Sequence, residues 1–244
     1  MNSPIITVLT PTKNSAHCIK DLILSLELQT ESNFLWLVVD SDSSDSTFEL
    51  VNNAALKHKQ IVKGLDFSIY HGLNRGVNAL KTEYYLVVGS DDCLHEDAIA
   101  NYTDSILMNH YPDFIFAGTS RTRHTVMPRT NLGWLYGMHG VGSSHSVGTL
   151  IKTTLHSKFG YYSPRYPMLA DAYFIKTALN FGSSAFHASF VAGFYADTGF
   201  SSNDSLHYLL EFFEVQTKTE RFPFFQFILF LLRLSKLTIS KSMG

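Results

Sequence analysis

The chain has 244 residues, of which 45% are apolar and 16% charged, and its net charge is −2 with histidine neutral. That length and apolar share exclude disorder and give a substantial core, in one large α/β domain or in a nucleotide-binding half joined to a second half. The lack of a basic excess excludes a nucleic-acid partner. The two cysteines, Cys18 and Cys93, lie far apart without metal-type spacing, so no disulfide framework is expected and a reducing cytoplasm fits. Met1-Asn2-Ser3-Pro4 puts no charged run ahead of an apolar stretch, so no secretory signal is expected.

Ile5 to Leu9 is a β-branched, apolar run ended by Thr10-Pro11-Thr12 and predicts a buried first strand. Ala16 to Gln29 has helical spacing, with Ile19, Leu22, Ile23 and Leu26 on one face. Phe34 to Val39 predicts a second strand stopping at Asp40, and the polar stretch Ser41 to Thr47 leads into a helix over Phe48–Leu56. A third strand is expected over Gln60–Leu65, a helix over Ile69–Leu80, and a fourth strand over Tyr84–Val88, ending at Gly89-Ser90-Asp91-Asp92. This alternation predicts a mostly parallel sheet flanked by helices, with ligands outside the carboxyl ends of the strands. Thr10-Pro11-Thr12, Asp40 and Asp91-Asp92 should therefore gather at one edge.

Beyond this point the pattern is less regular. A helix is expected over Glu96–Met108, a short strand over Phe114–Ala117, and a long loop over Arg121–Ser146, rich in Gly, Arg and His. Lys152–Phe159 and Asp171–Asn180 read as helices and Ala185–Phe190 as a strand.

Two adjacent carboxylates at the end of a buried strand repel each other unless a cation or water offsets the charge. A hard divalent cation, Mg²⁺ or Mn²⁺, suits Asp91 and Asp92; a solvated turn capping the next helix is the other reading.

Four stretches carry a resemblance. Ile6 to Asn14 is similar to the opening of family 2 glycosyltransferases of the GT-A fold. Gln29-Thr30 followed by Leu37 to Thr47 resembles the family's Asp-Gly-x-Ser-x-Asp-x-Thr segment. Asp66 through Ile69-Tyr70 to Asn74-Arg75-Gly76 resembles its next motif, and Ser90-Asp91-Asp92 falls where the family carries its metal-binding acids. Weaker similarity, most like bacterial transferases that build surface polysaccharides, continues to about Glu211.

The resemblance implies an α/β GT-A (Rossmann-like) fold and transfer of a sugar from a UDP-, GDP- or dTDP-sugar to a hydroxyl of a glycan or lipid-linked acceptor, with inversion. Thr10, Pro11, Thr12 and Asn14 would line the nucleotide pocket, Asp40 would hold the base or ribose, and Asp66 would face the nucleotide. Asp92 would be the main ligand of a divalent metal, with Asp91 on metal or ribose and Ser90 shaping the turn. Lys13, His71, Ser41-Asp42 and Ser68 depart from the family pattern, so the donor pocket is not standard.

Ala170-Asp171-Ala172-Tyr173 resembles the family's second acidic motif and makes Asp171 the expected general base; an N-cap is the alternative. His145 resembles a recurring histidine that would touch the donor diphosphate or the acceptor, and His139 is a weaker candidate. Asp197 to Ser201 resembles a Gly-Gly-x-Ser segment near the donor phosphates.

Phe222 to Ile239 is strongly apolar, but its uninterrupted part, Phe227–Leu232, falls far short of the roughly 20 residues that span a bilayer. Gln226, Arg233, Lys236 and Ser240 fall near one helical face, interrupted by Phe230, which suits a helix lying in the membrane interface. Docking on the core, or on a second subunit in a homo-oligomer, is the alternative. The expected organisation is a nucleotide-sugar-binding half (1–95), an acceptor-binding half of the same domain (96–204) and a helical tail (205–244), in the cytoplasm or at the inner membrane face. A sugar-nucleotide nucleotidyltransferase is disfavoured because Thr10 to Asn14 lacks the glycines of a phosphate loop. A non-catalytic binding module is disfavoured because Asp40, Asp91, Asp92 and Asp171 occur together.

Overall fold

The computed structural model describes residues 3–121, 124–196 and 205–242. Strand β1 (Ile6–Thr12) is followed by helix α1 (Ile19–Glu27), β2 (Leu35–Asp40), α2 (Thr47–Asn53), β3 (Lys59–Lys63), α3 (Ile69–Ala79) and β4 (Tyr84–Val87). These four strands are parallel, in the spatial order β3-β2-β1-β4. The chain moves outward from β1 to β3 and then crosses back to place β4 on the other side of β1. The strand order therefore reverses between β1 and β4, which is where α/β sheets open a crevice for ligands.

Alternation along each strand fills two layers of core. Val8, Trp36, Val38 and Leu86 face α1 and the later helix α4 (Ala98–Met108). Leu9, Leu37, Val39 and Tyr85 face α3. Gly76 lets α3 lie close to the sheet: a Cβ there would meet Leu9 Cδ1 at 2.5 Å and Val39 Cγ2 at 2.8 Å.

The sheet continues without a break into the second half. After β5 (Cys93–Leu94) and α4 come β6 (Phe114–Arg121), β7 (His124–Val126), α5 (Gly133–Tyr136), β8 (Thr149–Lys152), α6 (Leu155–Phe159), α7 (Ala170–Asn180) and β9 (Ala185–Phe194). β8 joins β4 antiparallel and is followed outward by β6, β9 and β5, with β7 on β6. The first half of the sheet is thus parallel and the second half mixed.

Two expectations from sequence need correction. Lys152 ends a strand rather than starting a helix, and α6 begins only at Leu155. Leu150 and Ile151 point to opposite cores between β4 and β6, and a strand of four residues is too short to show its period. The long loop at Arg121–Ser146 contains β7, α5 and a 3₁₀ turn at Gly137–Gly140.

Two helices close the chain, α8 (Ser205–Thr219) and α9 (Pro223–Ser242), with Pro223 in the first turn. Val215 of α8 joins the core beside Phe174 and Ile175 of α7. Lys176 of α7 is buried and forms an ion pair with Glu220 and a hydrogen bond to Gln216. Two polar side chains of α9 are turned inward, Gln226 donating to Trp134 O at 2.8 Å and Arg233 to Leu135 O, while Lys236 is exposed. Among the described residues no helix is long and apolar enough to cross a membrane.

Candidate active site

A cavity of about 520 Å³ opens at the β1/β4 switch point. Pro11, Gly89, Asp91 and Asp92 line it from the parallel half, and Arg121, His139, His145, Asp171 and Tyr195 from the second half. Tyr208 and Phe212 of α8 form another part of the wall. The expected residues Pro11, Asp91, Asp92, His145 and Asp171 therefore share one cavity, and His139 is beside them.

The turn after β4 sets the acidic pair. Gly89 N–H donates to Asp92 Oδ2 at 3.0 Å, and Ala196 N–H to Oδ1 at 3.3 Å. A Cβ on Gly89 would lie 2.8 Å from Asp92 Oδ2 and 3.0 Å from Asp91 Oδ1, so both carboxylates crowd over the same glycine. Asp92 is 3% exposed, and burial, then the charge of Asp91, pushes its carboxyl up to about 7. Ser90 turns away from the cavity side chains and donates its hydroxyl to Ser15 Oγ at 3.0 Å, tying this turn to the loop after β1.

This arrangement offers a divalent cation only part of a ligand set. No group of three or more His, Cys, Asp or Glu side chains forms a cage among the described residues. The two carboxylates offer a partial donor set, of the kind Mg²⁺ or Mn²⁺ completes with substrate phosphates and water. A cation there would also offset the repulsion that raises the Asp92 pKa.

His145 stacks on Tyr195, with ring centroids 4.4 Å apart and planes within 5°, and its Nδ1 lies 3.8 Å from Asp92 Oδ2. Burial lowers its pKa, which favours the neutral imidazole. Burial likewise lowers that of His139.

Asp171 lies in the first turn of α7, whose N-cap is Leu169; Asp171 is not the cap. Its Oδ1 accepts from its own neighbour's Ala172 N–H at 2.8 Å and sits 2.7 Å from the buried hydroxyl of Tyr70. Tyr70 is the residue whose role sequence reasoning missed, although it stands in the α3 motif. Its hydroxyl is also 3.0 Å from Met168 O, so it fixes Asp171 against the chain that enters α7. Glu211 of α8 completes that helix start, its Oε1 accepting from Met168 N–H at 2.9 Å and Leu169 N–H at 2.6 Å.

The remaining expected residues form a second cluster at the strand ends, outside the cavity lining. Asp40 accepts from Thr12 Oγ1 at 3.1 Å, Ser43 Oγ at 2.5 Å and Ser43 N–H at 3.1 Å. Asn14, with φ of 50°, accepts from Ser44 N–H at 2.9 Å and donates its own N–H to Ser43 Oγ at 2.9 Å. Asp66 is gripped by Arg75 and by His71, whose Nδ1 is 2.7 Å away. Arg75 also donates to the backbone oxygen of Asp40 at 3.1 Å, linking the two acids. Thr10 is not in either group: it is fully buried on the opposite face of β1 and accepts from Trp36 Nε1 at 3.0 Å.

The departures from the family pattern acquire physical reasons. Ser68 caps α3 by accepting from His71 N–H at 3.2 Å. Asp42 has φ of 55°, in the left-handed region where Gly is usual and Asp is tolerated. Asp45 anchors the loop, accepting from Thr47 N–H and Ala16 N–H, each at 3.0 Å. The segment Asp197 to Ser201 lies outside the described residues.

A parallel half sheet reversing at β1/β4, extended by mixed strands and carrying an acidic pair at the switch point, defines the GT-A class of glycosyltransferases. The profile of the family described as "Glycosyl transferase family 2" matches residues 7–132, and the chain belongs to that family and is a glycosyltransferase. A relative called "PGL/p-HBAD biosynthesis glycosyltransferase", from Mycobacterium bovis, is 26% identical over 186 residues, covering 70% of this chain and 68% of the relative. S. aureus TarS 1-349 in complex with UDP-GlcNAc has the same fold, with a TM-score of 0.67 at 16% identity over 92% of this chain and 70% of that one. The chain spans 38% of the longer TarS structure. The mannosyltransferase PcManGT from Pyrobaculum calidifontis, in complex with GDP-Man and Mn²⁺, aligns at a TM-score of 0.62 and 15% identity, over 90% of this chain and 62% of that one.

Proposed function

We propose that this glycosyltransferase moves a sugar, with inversion, from a nucleoside-diphosphate donor to a hydroxyl of a glycan or lipid-linked acceptor in surface polysaccharide assembly. The observation that carries the reading is that Asp92, after β4, and Asp171, on α7, line one cavity at the switch point. Neighbours of the same fold that hold UDP-GlcNAc or GDP-Man with Mn²⁺ support a nucleotide-sugar donor and a metal.

In this reading residues 1–95 serve the donor, 96–204 the acceptor, and the tail 205–244 braces α7. Asp40, Thr12, Asn14 and Asp66 form the nucleotide end, while Pro11 borders the sugar-diphosphate. Thr10 supports β1 from behind. Asp92, helped by Asp91, would hold Mn²⁺ or Mg²⁺, which would neutralise charge on the departing diphosphate. His145, kept neutral by burial, donates a hydrogen bond to diphosphate or acceptor without adding charge. Asp171, oriented by Tyr70, accepts the proton of the acceptor hydroxyl as that oxygen bonds to the anomeric carbon and the bond to the diphosphate breaks.

The test is to incubate the protein with Mn²⁺ and a panel of UDP-, GDP- and dTDP-sugars and follow release of nucleoside diphosphate. Release from one base class is expected, with a thermal shift for the same diphosphate. Pyrophosphate release from a nucleoside triphosphate, with no diphosphate from any sugar donor, would overturn the reading.

A further inference from the structure

A surface helix ordinarily buries its apolar stripe and shows water its polar side. Helix α9 packs Phe230 against Phe213 of α8, with ring centroids 4.6 Å apart, yet it also turns polar side chains inward and a stripe of apolar ones outward. Gln226, 1% exposed, and Arg233 bond inward to the backbone of α5. The outward face carries Phe224, Phe225, Ile228, Leu231 and Leu232, spaced three and four apart and all exposed, Phe224 by 72%.

The bonds from Gln226 and Arg233 end on Trp134 O and Leu135 O, so α5 is pinned against α9. Trp134 and Tyr136 of α5 are exposed as well, and the guanidinium of Arg129 lies 5.4 Å over the Tyr136 ring. Glu220, the acid beside α5, is paired with Lys176, which leaves cations as the unpaired charge of α9 and its approach. The α9 sequence contains no Asp or Glu, Lys236 is exposed on it, and Arg221, also exposed, precedes it.

We propose that the α5–α9 face docks on an anionic lipid surface. Phe, Ile and Leu side chains enter the acyl boundary, Trp134 and Tyr136 sit at headgroup level, and the cations meet lipid phosphates. A second copy on this face would bring like charges together, whereas anionic lipid complements them. The helix lies on the surface and does not cross it. Directly after α5, Gly137, Met138 and His139 line the catalytic cavity, so docking brings the acceptor wall of the cavity next to the lipid. The docking itself does not depend on the donor or on the base.

Truncation at Arg221 would strip Gln216, Trp134 and Leu135 of partners, so point variants give the cleaner experiment. The full chain is mixed with phosphatidylglycerol vesicles or with phosphatidylcholine vesicles, then sedimented, and tryptophan emission is recorded. Of the two tryptophans, Trp36 is 0% exposed, so a blue shift on binding reports Trp134. Binding with a blue shift is expected on phosphatidylglycerol and weakly on phosphatidylcholine. The triple variant Phe224→Glu, Ile228→Glu, Leu231→Glu should bind at least about tenfold less. The milder pair Arg221→Gln, Lys236→Gln, which leaves the apolar face intact, should lose the preference for anionic vesicles. Wild-type protein that stays in the supernatant overturns the proposal. So does an Arg221→Gln, Lys236→Gln variant that keeps its preference for phosphatidylglycerol. So does a dimer that the triple variant turns into monomer with no vesicle binding in either form.

Discussion

Within β1 to β4 each strand owes its place to residues close to it in sequence: a β-branched run, a turn, a helix with one apolar stripe, the next run. The second half is held by partners far apart. β8 is a strand because β4 and β6 flank it, and α7 is anchored by Lys176 to Gln216 and Glu220 and by Glu211 at its start. Both halves contribute acids to the cavity, Asp91 and Asp92 from the locally specified half and Asp171 from the half that depends on long-range contacts. On the proposed reading, damage at Asp92 should therefore be chemical and local, and damage at Asp171 should pass through packing.

The largest separation is expected at Asp92. Asp92→Asn should lower Mn²⁺-dependent donor turnover by at least about a hundredfold, because charge on the leaving diphosphate loses its counter-ion. Thermal unfolding should show no loss of stability. Lys176→Ala should do the opposite, costing about 3–5 kcal/mol of stability by leaving Glu220 without its buried partner. Calorimetry or denaturant titration checks it, and an unchanged melting temperature would remove the asymmetry between the halves.

A smaller effect is expected from Tyr70→Phe, which removes one hydrogen bond to a carboxylate, worth about 1.5–3 kcal/mol. Roughly a tenfold fall in kcat with little change in donor KM, and a displaced acid limb of the pH–rate profile, would mark Tyr70 as positioning Asp171. An equal change in KM alone would make it merely structural.

The smallest effect is on stability against pH. Burial and Asp91 raise the Asp92 carboxyl from 3.8 to about 7, so between those values the folded protein holds a proton that the unfolded chain releases. The resulting stabilisation is full below about 3.8 and is lost as pH rises through about 7. Without metal, wild type should therefore lose a few degrees in Tm, relative to Asp92→Asn, between pH 5.5 and pH 8. Mn²⁺ at pH 8 should restore them for wild type alone. Parallel Tm curves for the two proteins would contradict this electrostatic picture of the pair.

The legibility of the sequence follows the same division. The parallel half could be read because hydrophobic runs and turns repeat at the length of the elements, and the acids fall at strand ends. Thr10 escaped because a motif does not tell which way a strand residue points, and its hydroxyl faces Trp36 behind the sheet. The Tyr70–Asp171 bond spans two elements that no spacing connects. For α9 the sequence left two placements open, the membrane interface and docking on the core or a second subunit. Gln226 and Arg233 meet α5, since backbone oxygens at Trp134 and Leu135 need donors, a contact that spacing along one helix does not reveal.

Asp171→Asn gives the most direct test of the central claim that one carboxylate from each half performs the transfer. With Mn²⁺ and the donor identified by screening, the account predicts loss of nucleoside-diphosphate release, while calorimetric binding of that diphosphate stays near the wild-type value. Turnover at the wild-type rate would remove Asp171 from the chemistry and leave the cavity without its base.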